Sequence, residues 1–298
     1  MRGIFSRAIR RWTAAKWAFL RATRETVTIR TQQGVLTVAT QDDVIGRLLY
    51  SERQFQYDLT LRATSFLHER GLIPARGKGV VLDVGANNGV ISIGLLVSGQ
   101  CEAAIGIEPD PTNFALCKRN VVQNALVDRY TALQIAASDR GGELKFELSA
   151  ENFGDHRVQS LADGLASTPV AVGSGGRESI TVEASPIDEI LGRLPSKLTD
   201  AISLVWIDVQ GHEGYVFAGG TRLFSRRVPV VTEIWPFGIN RSGMGIPKFC
   251  EIASGYWSHF WVWRRCGRYI QYPTSALIKF CEELGDSGEF DDIIFINA

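Results

Sequence analysis

With 298 residues, 45% of them hydrophobic, and 32 basic side chains balanced by 32 acidic ones, the chain can bury one large core or two modest ones. That composition excludes a disordered or fibrous protein, and the lack of a basic excess excludes nucleic acid as an expected partner. Five scattered cysteines with no CxxC pair argue against a zinc site or a disulfide framework, and no apolar run approaches the roughly 20 residues of a membrane span, so a cytoplasmic protein is expected, at most peripheral to a membrane.

Residues 1–25 read as a basic amphipathic helix. Ile4, Phe5, Ala8, Ile9, Trp12, Ala15 and Phe19 fall on one arc, and Arg7, Arg10, Arg11, Arg21 and Arg24 on the opposite one, with Trp17 out of place on the polar side. Two readings of residues 4–20 stay open: attachment to an anionic membrane surface, or packing of the apolar stripe on the main domain or on a second subunit. Residues 26–74 read as an N-terminal extension. "TVTIRTQQGVLTVAT" alternates as a hairpin does, with Gly34 supplying a positive φ, and "DDVIGRLLY" and "QYDLTLRATSFLHERG" carry helical spacing up to a stop at Gly71.

From residue 75 to 298 the pattern becomes apolar strand, turn and helix in alternation, which predicts an α/β domain with a Rossmann-like, mostly parallel sheet and an antiparallel C-terminal strand. Strands are expected at 80–84, 104–108, 131–137, 143–148, 179–183, 203–209, 228–234 and 292–297. Helices are expected at 89–98, 112–124, 186–192, 213–224 and 246–254. "VAVGSGGRES" reads as an irregular surface segment, and the aromatic run "YWSHFWVWRRCGRYIQY" as a core strand in preference to a sugar platform.

The chemistry starts at "VVLDVGANNGVIS". A buried strand ends in Asp83-x-Gly85-x-x-x-Gly89, whose glycines let the backbone turn sharply and approach a ligand at the start of a helix. A second strand ends in Glu108, where an acid can accept both hydroxyls of a ribose, with Asp110 and Asn113 at the following helix start. A third ends in "AASD", where Ala137 and Ser138 can lie against an adenine ring and Asp139 can receive its amino group. The spacing lacks the third glycine of a dinucleotide site, and Asp83 would repel a pyrophosphate, so S-adenosylmethionine fits better than a nicotinamide dinucleotide. A nicotinamide-dependent oxidoreductase and a non-catalytic scaffold of the same fold remain the alternatives.

"VVLDVGANNGVIS", "IGIEPDPTNFALCKRNV", "LQIAASDRGGELKFELS", "ENFGDHRV", "WIDVQGHEGYVFAGGTRLF" and "VVTEI" together resemble the FkbM-type methyltransferases, a branch of the class I fold that uses S-adenosylmethionine. The resemblance implies that Asp83, Gly85, Asn87 and Gly89 line the methionine end of the cofactor, Glu108 its ribose, and Ala137 and Ser138 its adenine. It also implies methyl transfer to a hydroxyl oxygen of a sugar, a glycan or a similar polyhydroxylated metabolite. "IDVQGHEG" brings Asp208 and His212 to the same edge, and "VVTEI" brings Glu233. Asp208 or His212 is the expected base, with His156 as rival and Asn152 as a possible hold on the acceptor, whereas His68 and His259 read as structural. The family usually carries an acid where Gln210 stands, so no role needing three carboxylates is carried over, and metal dependence stays open.

Overall fold

The structure, a computed structural model, describes residues 2–159 and 177–297, with side chains from Trp12 onward. Most of "VAVGSGGRES", and the side chains of Ile4, Phe5, Ala8 and Ile9, lie outside the described residues. The chain opens with helix α1 (Arg2–Thr23) and the antiparallel hairpin β1 (Thr26–Thr31) and β2 (Gly34–Ala39), where Gly34 takes φ 115° at the turn. Helices α2 (Ile45–Glu52) and α3 (Tyr57–Glu69) follow.

Over its described side chains, helix α1 meets the body through its polar arc. Trp17, from the polar arc, is the residue that docks: it is 3% exposed, its ring meets Tyr50 at 5.4 Å, and its Nε1 donates to Asp43 at 2.8 Å. Arg21, one turn on, pairs with Asp43 and with Glu151. Trp12, Ala15 and Phe19 face away from the body and are exposed. A helical pattern shows that two faces differ; which one meets the domain depends on partners such as Asp43, far along the chain.

The main sheet is built from β3 (Val80–Val84), β4 (Ala103–Ile107), β5 (Tyr130–Leu133), β10 (Ile202–Ile207), β11 (Val230–Ile234), β12 (His259–Arg264), β13 (Arg268–Pro273) and β14 (Asp291–Ile296). Its order is β13-β12-β14-β11-β10-β3-β4-β5. The five strands from β11 to β5 are parallel, and β14 runs antiparallel between β11 and β12. This is the mostly parallel sheet with an antiparallel C-terminal strand that the sequence predicts, extended by the β12–β13 hairpin, in which the aromatic run indeed forms a strand with Phe260 and Val262 fully buried.

Two expectations change. The strand predicted at 131–137 is two strands, β5 at the edge of the main sheet and β6 (Ala136–Ser138), which joins β7 (Gly142–Leu148), β8 (Arg157–Val158) and β9 (Glu178–Pro186) in a second, four-stranded sheet. The helix predicted at 213–224 breaks into α8 (Glu213–Ala218) and α9 (Thr221–Ser225), because the chain crosses β6 so closely at Gly219 that a Cβ there would sit 1.9 Å from the Ser138 carbonyl oxygen.

The parallel strands inside the edge strand β5 bury both faces, as a covered sheet requires. On one side Val81, Trp206 and Val231 pack with the hairpin, α3, α4 (Val90–Val97) and α5 (Pro111–Gln123). On the other Leu82, Val205 and Val230 pack with Phe217, Phe249, Trp257 and Phe280, on or just beyond α8, α11 (Ile246–Tyr256) and α12 (Leu277–Leu284). The N-terminal extension shares the first of these cores, and it is fastened by amide side chains: Thr37 N–H donates to Asn120 Oδ1 at 2.6 Å and Val35 N–H to Asn124 Oδ1 at 2.8 Å.

Candidate active site

The carboxyl ends of β3, β4 and β10 meet in a narrow crevice. Gly85 (φ 85°) turns the chain out of β3, and its own N–H and that of Ala86 donate to the Ile107 carbonyl. A side chain has no room there: a Cβ on Gly85 would lie 1.9 Å from the Asp208 carbonyl oxygen, so β3 and β10 end in direct contact. Asn87 also takes a positive φ, 52°, a strain that asparagine tolerates better than most residues. Its N–H donates to Glu108 Oε2 at 2.7 Å, while Asp110 N–H donates to Oε1 at 2.8 Å, so the Glu108 carboxyl clamps two loops together. Burial pushes its pKa up to about 8 against the pull of those two bonds.

Gly85, Asn87, Glu108 and Ala137 line the crevice, roofed by Phe153 and Gly154, with His156 and His212 also on its wall. The other four cofactor residues expected from the sequence stand one layer back. Asp83 turns to Ser92, accepting from its hydroxyl and its N–H; Gly89 caps α4 at φ 82°; Asp110 caps α5 by accepting from Asn113 N–H at 2.7 Å. Ser138 gives its hydroxyl to a 2.9 Å hydrogen bond with His212 Nε2, and Asp139 lies beside it. His212 also stacks on Tyr215, and burial draws its pKa down to about 4, so the ring is neutral at neutral pH.

Beside the crevice opens a cleft of about 780 Å³ lined by Phe55, Trp235, Phe237 and Phe290 together with Asn152, Asp155, Arg157, Arg177, Gln210 and Glu233. Gly154 and Asp208 border both spaces. The Asp208 carboxyl, following β10, accepts from Gln210 Nε2 at 2.6 Å, and burial raises its pKa above the ordinary carboxylate range, against the pull of that bond. Gln210 is itself held at φ 53°. Glu213 faces the turn, where it accepts from Val209 and Gly211 N–H at 3.2 Å, which makes it a support of the Asp208 loop.

Glu233 sits among acids. Burial, then the charges of Asp208, Glu213 and Asp292, push its pKa up to about 10. The register explains the crowding: Ile207 pairs with Thr232, which brings the next residues Asp208 and Glu233 side by side, and Glu233 pairs with Asp292 across the antiparallel ladder. Sequence reasoning missed Asp292. The signal was present in "DDIIFI": an antiparallel strand starts at the edge where its parallel neighbours end, so acids at its beginning join acids at their ends. Missed as well were Trp235 and Phe237, just past β11, and Arg157, whose guanidinium pairs with Glu147 and Asp155. His156 is held by Ser149 N–H, while His68 on α3 and His259 on β12 line neither space. Among the described residues no group of three or more His, Cys, Asp or Glu side chains is arranged to hold a metal ion.

The FkbM methyltransferase domain matches residues 83–260, more than half of the chain. The chain belongs to the FkbM methyltransferase family. Membership of that family speaks against the nicotinamide-dependent oxidoreductase. The chain is 29% identical over 160 residues to the 2-O-methyltransferase NoeI of Sinorhizobium fredii strain NGR234, a match that takes in 52% of this chain and 62% of the relative, so the relative is less than two-thirds spanned. Among solved structures it resembles the methyltransferase FkbM of Methylobacillus flagellatus (18% identity, TM-score 0.36, 64% of this chain and 44% of that one). It also resembles the precorrin-6y C5,15-methyltransferase of Geobacter metallireducens (11% identity, TM-score 0.40, 81% and 88%). At these scores the structural likenesses add nothing to the family assignment.

Proposed function

We propose that this FkbM methyltransferase moves the methyl group of S-adenosylmethionine to a hydroxyl of a sugar, a glycan or a similar polyhydroxylated metabolite. The observation that carries the proposal is the position of Asp208, which borders both the crevice and the cleft. The chemistry of the crevice fits the cofactor: two acids, the buried Glu108 and the half-buried Asp208, neither paired with a basic side chain among the described residues, face a space walled by Ala136, Ala137, Phe146 and Val158. Such a space suits a cation that carries an adenine and a ribose, and it would reject a pyrophosphate. Bound there, the cofactor supplies an electrophilic methyl carbon on a sulfonium whose sulfur leaves uncharged.

The protein's work is then alignment and removal of one proton. The Asp208 carboxylate, oriented by Gln210, takes the acceptor's hydroxyl proton as the new oxygen–carbon bond forms. Glu233 keeps its own proton at neutral pH, so it serves as a hydrogen-bond donor to the acceptor and not as a base. His212, neutral and bonded to Ser138, orients the adenine side of the crevice. Trp235 and Phe237 offer faces for the C–H side of a sugar ring, and Asn152 and Arg177 offer donors for its hydroxyls. The relative's printed activity, 2-O-methyl transfer, supports oxygen as the receiving atom. The test is mass spectrometry of glycans and lipids from cells with and without the gene: loss of one methyl group from a hydroxylated species is expected, and an unchanged profile would count against the glycan acceptor. Asp208→Asn and His212→Ala, assayed side by side, check the base; only the first should abolish transfer.

A further inference from the structure

Over its described side chains, helix α1 is seated on the body by one face and leaves the other bare. Trp17 and Leu20 pack inward, and Arg21 ties the helix to Asp43 and Glu151. Trp12 and Phe19 point out, 63% and 65% exposed, and seven residues apart they share one side of the helix two turns from each other. Lys16 lies over the Trp12 ring at 3.4 Å. Residues 1–24 contain seven bases (Arg2, Arg7, Arg10, Arg11, Lys16, Arg21, Arg24) and no acid; since the chain as a whole is neutral, the remainder is net −7.

We propose that α1 lies flat on an anionic phospholipid bilayer, with Trp12 and Phe19 at the boundary between headgroups and acyl chains, Lys16 beside them at the lipid phosphates, and the acid-free positive charge of residues 1–24 drawing the helix to the surface. Aromatic anchors interleaved with bases and free of acids are the chemistry of an interfacial helix. A second copy of this chain fits the same face badly, because a two-fold contact through α1 sets one basic helix against another. The helix rests on the surface and does not cross it, since none among the described residues is long and apolar enough to span a membrane. Its seat is close to the cleft: Asp43 N–H donates to the Glu151 carbonyl at 2.8 Å, and Glu151 adjoins Asn152 on the cleft wall. A docked helix would therefore hold the cleft near the bilayer.

The test is cosedimentation of the full chain with vesicles of phosphatidylcholine alone or with about one-third phosphatidylglycerol. Binding to the anionic vesicles is expected, weakened by salt and at least tenfold poorer to phosphatidylcholine alone. The double variant Trp12→Ala, Phe19→Ala should lose at least tenfold in affinity with an unchanged melting temperature, because both side chains are exposed. Three results would overturn the proposal: no binding by the wild type, equal binding by the double variant, or a wild-type dimer in solution that the double variant converts to monomer. Vesicle binding is read without any acceptor, so it stands or falls apart from the methyl-transfer proposal.

Discussion

The crevice and the cleft adjoin, yet they solve the burial of a carboxyl in opposite ways. Glu108 and Glu233 both end parallel strands and both have pKa values raised by burial. Glu108 meets two backbone N–H donors, so its carboxyl is fixed and organises the loops around it. Glu233 meets Asp208 and Asp292, so it keeps its proton and answers to whatever enters the cleft. A strand-end acid paired to backbone builds a site of fixed shape; one paired to other acids builds a site whose charge can change.

The sharpest way to break the crevice is at its floor. Gly85→Ala drives a Cβ into the Asp208 carbonyl at a positive φ and should cost about 3 kcal/mol or more, a fall of roughly 10 °C in melting temperature. A melting temperature within two or three degrees of wild type would mean that the β3 and β10 turns part easily. Next in size, Glu108→Gln leaves one of the two N–H donors of Asn87 and Asp110 without an acceptor and should weaken S-adenosylmethionine binding about 10- to 100-fold by calorimetry, whereas Glu233→Gln should leave it unchanged. Equal effects from the two would erase the distinction between crevice and cleft.

The acids of the two spaces also set a pH dependence. Glu108, Glu213, Asp292 and Glu233 all have folded-state pKa values above their unfolded ones, at about 8, 7, 7 and 10. A raised value means that the folded state holds the proton more tightly, so the stability is fully present below the unfolded values near pH 4. It is lost as pH rises through 7 to 10. Thermal melts should show this decline, and Glu233→Gln, which cannot ionise, should flatten its upper part by a few degrees. A midpoint that rises over that range would contradict the raised values of these four acids. The smallest effect belongs to Arg21→Ala: its ion pairs with Asp43 and Glu151 are partly exposed, so under about 1 kcal/mol of stability should be lost.

What could be read from the sequence divides along the same line. The crevice was legible because local chemistry makes it: Val80–Val84 can only be a buried strand, Gly85 and Gly89 sit where φ is positive, and Glu108 follows the next apolar run. Which of those residues touch the space was less legible, since Asp83 and Ser138 turn to Ser92 and His212 instead. The cleft was largely hidden. It draws Phe55 from the N-terminal extension and Phe290 from the last strand's approach, residues 235 positions apart in the chain that only the fold brings together. Asp292 needed the strand order, and α1 needed Asp43, to be placed at all.

The central claim is that the crevice and the cleft meet at the base, Asp208. It is tested most directly by following labelled methyl from S-adenosylmethionine into hydroxylated glycan and lipid extracts, with wild type and Asp208→Asn side by side and cofactor affinity measured for both. The prediction is that the variant still binds the cofactor, weakened less than about tenfold by the loss of one of the crevice's two acids, while transfer falls about 10²- to 10⁴-fold. Transfer by Asp208→Asn at the wild-type rate would contradict the claim.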